Sequence, residues 1–246
     1  MKLIILTPSN RDPKWPHVES VKEMENHIRA NGVRGRPVES ITCASLRMAS
    51  LLPQGRQQLH DLSLSLGNAA LSPNKANSGA LVNNMLYTHA LWLDDDIEVF
   101  PQMMDYMADH LSLVHFNGSP VSRPAIVAAN YVRKHARCEY TAVRDGLAVS
   151  SDPPNRSLQE VDTCAMGCML IHLPSVVHIK PPHFEVLWDR KRGEYRSEDR
   201  YFCDKMRNAG VKIYIDHDVS RMVTHWGDAG YGYVMRQQNK ITVPCL

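Results

Sequence analysis

The sequence predicts a single α/β domain with a mixed, mainly parallel sheet flanked by helices. Three observations carry that reading. The chain opens on a β-branched apolar run, KLIILTP at 2–8, that stops at Pro-Ser-Asn and gives way to a helical period. Further short apolar runs recur along the chain with helical patterns between them, which is the alternation of an α/β fold. The length, 246 residues, suits one such domain and is enough to bury a substantial core.

Taken in order, residues 17–31 carry Val18, Val21, Met24 and Ile28 at helical spacing and end at Asn31-Gly32, a C-terminal stop. Residues 33–73 are patterned least clearly, with short apolar clusters among Arg, Gln, Pro and Gly. They predict one more strand and room for a surface insertion. Residues 78–87 predict a helix capped by Ser78 or Asn77. HALWL at 89–93 is an apolar strand that ends abruptly in Asp94-Asp95-Asp96. Residues 101–113 then read as a helix with Pro101 in its first turn. A strand at 125–131 and a hairpin at 138–149 around Asp145-Gly146 follow. Residues 166–173 predict a buried strand, 198–209 a helix stopped by Gly210, and 211–216 a strand, with a short further strand leading to His225. Residues 1–227 thus make one domain, its first hundred residues suited to nucleotide binding and 101–227 to an acceptor. The stretch 228–246, rich in Gly and Tyr, reads as a flexible tail or a lid.

Composition narrows the function classes. A net charge of +2 is too mild to announce nucleic-acid binding and does not exclude it. No apolar run approaches the ~20 residues of a membrane span, and the N-terminal run is too short for a signal peptide. Six scattered cysteines without a CxxC pair fit reduced thiols, and the expected compartment is the cytoplasm. Cys164, Cys168 and His172 are spaced by four, which would suit metal ligands on a helix. On a strand, residues four apart lie about 13 Å from each other, which argues against zinc.

The chemistry gathers around three features. Consecutive carboxylates at a strand end repel one another unless a cation sits among them. Open α/β sheets bind ligands beyond the carboxyl ends of their strands. Hard oxygen ligands select Mg²⁺ or Mn²⁺, which take one or two carboxylates plus substrate phosphates. LWLDDDIEVF therefore reads as a divalent-metal and diphosphate site, or, blandly, as a solvated acidic turn. Glu198 and Asp199 open a helix, where the dipole favours carboxylates on structural grounds alone. His225, just past a strand in VTHWG, is the third.

In combination these residues resemble the GT-A (Rossmann-like) glycosyltransferases, especially family 2-like enzymes and small phage-encoded relatives. The resemblance runs over about 70–227. It rests on Lys75-Ala76-Asn77, then Leu91-Trp92-Leu93-Asp94-Asp95-Asp96 as a DxD motif, Ala165-Met166-Gly167-Cys168-Met169-Leu170 as the glycine-containing strand, Glu198-Asp199-Arg200-Tyr201-Phe202 as EDxxF, and the late His225. Lys75 stands where the family usually has Arg, Ala165-Met166 where a Gly-Thr pair is usual, and Ser197 where Gly precedes the acidic pair.

The resemblance implies a metal-dependent transfer of a sugar from a nucleotide-sugar, a UDP-sugar first, to an acceptor hydroxyl. It places Mn²⁺ or Mg²⁺ on Asp94, Asp96 and His225. The donor would be bound by Thr7, Pro8, Ser9, Lys75, Asn77, Asp94 and Asp95. Asp199, with Glu198 second, would be the base that takes the acceptor proton, which implies inversion at the anomeric carbon. Phage relatives would act in a host cytoplasm on hydroxymethylated DNA bases, with Arg34, Arg36, Arg133, Lys134, Arg137, Lys180, Arg190, Lys191 and Arg192 as basic candidates for a DNA surface. Glycans, lipid-linked sugars and proteins stand as competing acceptors. The rival readings are a nucleotidyltransferase, disfavoured because TPSNRDPKWP after the first strand holds no glycine, and a metal-stabilised binding module.

Overall fold

The computed structural model describes residues 1–9, 15–47, 52–64, 85–112, 124–134, 139–190, 193–227 and 230–231. Its centre is a seven-stranded sheet in the order β2-β1-β3-β9-β5-β12-β8. These strands are β1 Lys2–Ser9, β2 Ser40–Arg47, β3 His89–Leu93, β5 Ile126–Ala129, β8 Leu158–Val161, β9 Cys168–His172 and β12 Ile213–Asp216. β2, β1 and β3 run parallel, as do β5 and β12, while β9 and β8 are antiparallel to their neighbours. The mixed α/β sheet is the one the sequence predicts.

The strand pleat divides the core in two. Ile4 and Leu6 of β1, Ala90 and Trp92 of β3 and Met169 and Ile171 of β9 face one side. They pack there with Leu59 of α2 (Leu52–Ser63) and Phe202 and Met206 of α4 (Glu198–Asn208). The alternate residues Leu3, Ile5, Leu91, Leu93 and Leu170 face the other side. Met24 and Ile28 of α1 (Trp15–Asn31), Met103 and Met107 of α3 (Met103–Ser112) and Val219 of α5 (His217–Ser220) cover them. Burial on both faces explains why these strands read as continuous apolar runs.

Small additions decorate this frame. β4 Ile97–Glu98, β13 Thr224–Trp226 and β14 Gly230–Tyr231 form a three-stranded ribbon. β6 Val143–Arg144 and β7 Leu147–Ala148 form the expected hairpin, with Asp145 (φ 51°) and Gly146 (φ 77°) both left-handed in its turn. β10 Leu187–Asp189 and β11 Glu194–Arg196 form a second hairpin that the sequence pattern did not announce.

The least legible stretch, 33–73, supplies β2 and, unexpectedly, α2. The helix expected over 78–87 falls mostly outside the described residues, and 85–87 are not helical. Of the tail, only β14 is described, paired to β13. The described cysteines, Cys43, Cys164, Cys168 and Cys203, are free thiols, and Cys168 and His172 lie on β9 as a strand reading requires.

Candidate functional site

β3 runs between β1 and β9 in the middle of the sheet, so the backbone that leaves it emerges at the carboxyl edge. Asp94 N–H donates to the Gly167 carbonyl at 3.0 Å and Ile97 N–H to the Asp94 carbonyl at 3.1 Å, closing a tight turn over 94–97. Two further contacts hold that turn. His17 of α1 donates Nδ1–H to the Ile97 carbonyl at 2.8 Å, and Trp226 N–H of β13 donates to the Asp96 carbonyl at 2.7 Å. β1 ends beside it, because Leu6 pairs with Trp92. Thr7 and Pro8 are therefore buried at the same edge, with Ser9 next in the strand. Lys75 and Asn77 lie outside the described residues.

The three aspartates have different surroundings. Asp95 and Asp96 are buried, and Asp94 is partly exposed. Asp96 receives Lys134 Nζ on Oδ2, and His225 Nε2 lies 3.4 Å from its Oδ1. Burial opposes charge on Asp96, but the hydrogen bonds and charges of His225 and Lys134 outweigh it and hold the carboxyl well below the usual carboxylate range.

Pairing of β13 with β4 sets His225 opposite Ile97, and its Nδ1 lies 3.1 Å from the Val132 carbonyl. A carbonyl can only accept, so Nδ1 carries the proton there. In a neutral ring Nε2 is then a bare lone pair facing a carboxylate oxygen. Such a pair is stable only with a cation between them, either a proton or a metal ion. One carboxylate and one imidazole, with substrate phosphates completing the shell, fit what Mg²⁺ or Mn²⁺ requires.

Asp94 does not join that pair. Among the described residues no three His, Cys, Asp or Glu groups converge as a metal site; of the expected three, Asp96 and His225 face each other. Asp94 faces Arg56 instead, which donates from Nη2 to its Oδ1 at 2.9 Å. Arg56, on α2, is 4% exposed and lies with its guanidinium 5.6 Å from the Trp92 ring. Its Nε stands 3.6 Å from Glu198 Oε1 and 3.8 Å from Asp199 Oδ1. Burial works against its charge, yet Asp94, Asp199 and Glu198 together raise its pKa.

The predicted acidic pair therefore meets the first aspartate through a cation that sequence reasoning missed. Only the spacing of Arg56 four residues before His60, with Leu59 between, hinted that this side of the helix turns inward. Tyr131 was also missed. Its Oη accepts from Gly167 N–H at 3.1 Å, and its ring packs edge-on to His225 with centroids 5.0 Å apart. Gly167 has a steric reason: a Cβ there would overlap Tyr131 Oη and come within 2.9 Å of Asp94 Oδ2.

Ser197 caps α4 by accepting from Arg200 N–H at 3.4 Å, which points the first turn, Glu198 and Asp199, at this centre. Asp199 accepts from Met166 N–H on Oδ2 at 3.3 Å, while its buried Oδ1 has no hydrogen-bond partner. Burial, helped by Glu198 and Asp94 and opposed by Arg56, pushes its pKa up to about 7. Asp199 also lines a cleft of about 480 Å³, together with Tyr131, Lys134, Arg133, Tyr195 and His225. A carboxylate whose pKa is raised to about 7 at the wall of a cleft is equipped to take a proton from a bound hydroxyl.

Among the described residues, the basic side chains considered for DNA do not gather on one face. Arg34 and Arg36 line a cavity with Met1, Thr88 and His89, at the amino ends of β1 and β3, opposite the aspartates. Arg34 pairs with Asp109 at 2.5 Å. Arg133 and Lys134 line the cleft, and Arg137, Lys191 and Arg192 lie outside the described residues.

No protein-family model and no curated protein matches the sequence. Among solved structures the chain is similar to A197 from STIV, with 16% identity, a TM-score of 0.55, and coverage of 93% of this chain and 87% of that one. Looser overlaps reach two transferases. One is a mutant of the Drosophila β1,4-galactosyltransferase 7 with manganese, UDP-Gal and xylobiose (12% identity, TM-score 0.38, 100% of this chain and 77% of that one). The other is GalNAc-T7 with UDP, GalNAc and Mn²⁺ (12%, 0.44, 97% and 48%). At such scores the two transferases carry no argument, and the likeness to A197 establishes a shared fold.

Proposed function

We propose that this chain is a glycosyltransferase that takes a nucleotide-sugar and delivers the sugar to an acceptor hydroxyl. The observation that carries the reading is the carboxyl edge of β3. There His225 Nε2 faces an Asp96 carboxylate oxygen across 3.4 Å, and His225 and Asp199, its pKa raised to about 7, line the same cleft. Asp96 and His225 would hold a divalent cation together with the donor diphosphate. When bound, that cation supplies positive charge where the leaving diphosphate becomes more negative.

The chain's own residues do the rest. Lys134, already on Asp96, is placed to turn toward phosphate oxygens as they enter. Thr7, Pro8 and Ser9, at the end of β1, with Asp94 and Asp95 at the end of β3, would bind the nucleoside part of the donor. Arg56 keeps Asp94 from repelling Asp199 and fixes the carboxylates relative to one another. Asp199, which lines the cleft, would accept the acceptor's hydroxyl proton as that oxygen attacks the anomeric carbon. Attack from the side of this base, opposite the diphosphate, gives inversion. A panel of nucleotide-sugars incubated with Mn²⁺ tests the reading, because slow hydrolysis reveals the donor without knowledge of the acceptor. UDP-sugars are expected to be cleaved first. Release of no free sugar from any member would overturn the assignment.

A further inference from the structure

The hairpin of β10 and β11 displays two aromatic rings to solvent beside the cleft. Trp188 and Tyr195 are direct cross-strand partners, with ring centroids 4.9 Å apart and planes at 68°. They are 52% and 71% exposed. An isolated surface aromatic needs no explanation, but two exposed rings packed on each other at the rim of a polar cleft form an apolar patch of the kind that marks a binding site. This patch is also held rigidly. Arg196 donates from Nη2 to Asp189 of β10 at 3.2 Å and from Nη1 to Asp204 of α4 at 2.7 Å, so one guanidinium ties both strands to the helix that carries Asp199. Tyr195 and Asp199 line the same cleft, four residues apart in the chain.

We infer that Trp188 and Tyr195 form the acceptor subsite and that the acceptor is a neutral carbohydrate. The inference rests on the glycosyltransferase reading above and names its second substrate. Two features favour a sugar over a nucleic acid. First, of the four Lys and Arg side chains that line the cleft, Arg196 faces Asp189 and Asp204, Arg200 lies 3.9 Å from Glu194, and Lys134 sits at the Asp96 end, where the proposed donor diphosphate would take it. A phosphate backbone needs cations able to replace its counterions, and these are engaged. Second, an extruded base is gripped between aromatic or apolar faces. The rings here meet edge to face, offering one open face and one edge. A pyranose suits that shape, since its C–H face packs on an aromatic plane while its hydroxyl rim reaches polar neighbours such as Thr141 and Thr163 in the cleft. A sugar seated there would turn one hydroxyl toward Asp199.

Saturation-transfer NMR on the full chain, with neither donor nor metal added, tests this with lactose, cellobiose and maltose as probes. A single-stranded oligonucleotide containing 5-hydroxymethylcytosine serves as the competing class. At least one disaccharide is expected to show saturation on its ring C–H protons. Its affinity should fall tenfold or more in the double variant Trp188→Ala/Tyr195→Ala and be largely kept in Trp188→Phe/Tyr195→Phe. Both side chains are exposed, so thermal melting should show the variants folded. The inference is overturned by no saturation of any disaccharide, by undiminished binding in the double alanine variant, or by oligonucleotide binding that depends on the pair. UDP titrated with Mn²⁺ into the wild-type chain reads the donor side alone, so failure of the donor reading is distinguishable from failure of the aromatic subsite.

Discussion

Arg56 brings one positive charge into a buried place where Asp94, Glu198 and Asp199 meet. Removing a partner from such a cluster leaves largely buried carboxylates without their counterion, at a typical cost of 3–5 kcal/mol. Arg56→Met should therefore lower unfolding stability by about that amount in urea titration, and a change under 1 kcal/mol would show that the carboxylates find other partners. Asp199 obeys a different logic. As the proposed base it would work only when deprotonated, and its pKa is raised to about 7, so kcat/KM should climb with pH up to about 7 and level off above it. Asp199→Asn should remove that limb and lower turnover by ~10²–10⁴-fold while UDP binding survives. A flat profile in the wild type would reassign the base. Gly167 is explained by its neighbours. Gly167→Ala sets a methyl group against Tyr131 Oη and Asp94 Oδ2, and an overpacking cost of roughly 1–3 kcal/mol is expected in the same titration.

At the scale of elements, α2 is the instructive one. Its buried side carries Arg56, Leu59 and His60, and His60 lies among Trp92, His183, Phe184 and Phe202 with neither ring nitrogen hydrogen-bonded. Burial, with His183 beside it, pushes its pKa down to about 3 from 6.5. The folded state thus resists a proton that the unfolded chain accepts. The stability tied to His60 is complete above pH 6.5 and is lost as pH falls from 6.5 toward 3, by up to about 1.4 kcal/mol per pH unit. His60→Phe should keep the packing, give up no hydrogen bond and flatten the acid limb of a stability-versus-pH curve. An unchanged limb would place the acid sensitivity elsewhere, His89 being the next group with the same sign. A helix reading PQGRQQLHDLS looks polar because its inward face is made of an arginine and a histidine, so hydrophobic periodicity could not mark it. The long apolar strands were legible for the opposite reason, since both their faces are buried. The β10–β11 hairpin was hidden because its strands are short and carry exposed aromatics in place of a core face.

Across the whole molecule, chain order and space tell the same story at different ranges. Asp94, Asp95 and Asp96 are contiguous and legible, as are Glu198 and Asp199, but Arg56, 38 residues before Asp94 on another element, is what joins them. His225 was visible as a late histidine. Its pairing with Asp96 depends on β13 lying along β4, while Asp94 is turned to Arg56. The pairing of His225 with Asp96 makes the central claim measurable. Isothermal titration of UDP into the wild-type chain and into Asp96→Ala, each with and without Mn²⁺, reads it directly. The expected result is that Mn²⁺ tightens UDP binding roughly tenfold or more in the wild type, within the usual range of coupling between sites, and has no effect in the folded variant. Equal UDP affinity with and without Mn²⁺ in the wild type, or coupling preserved in Asp96→Ala, would contradict it.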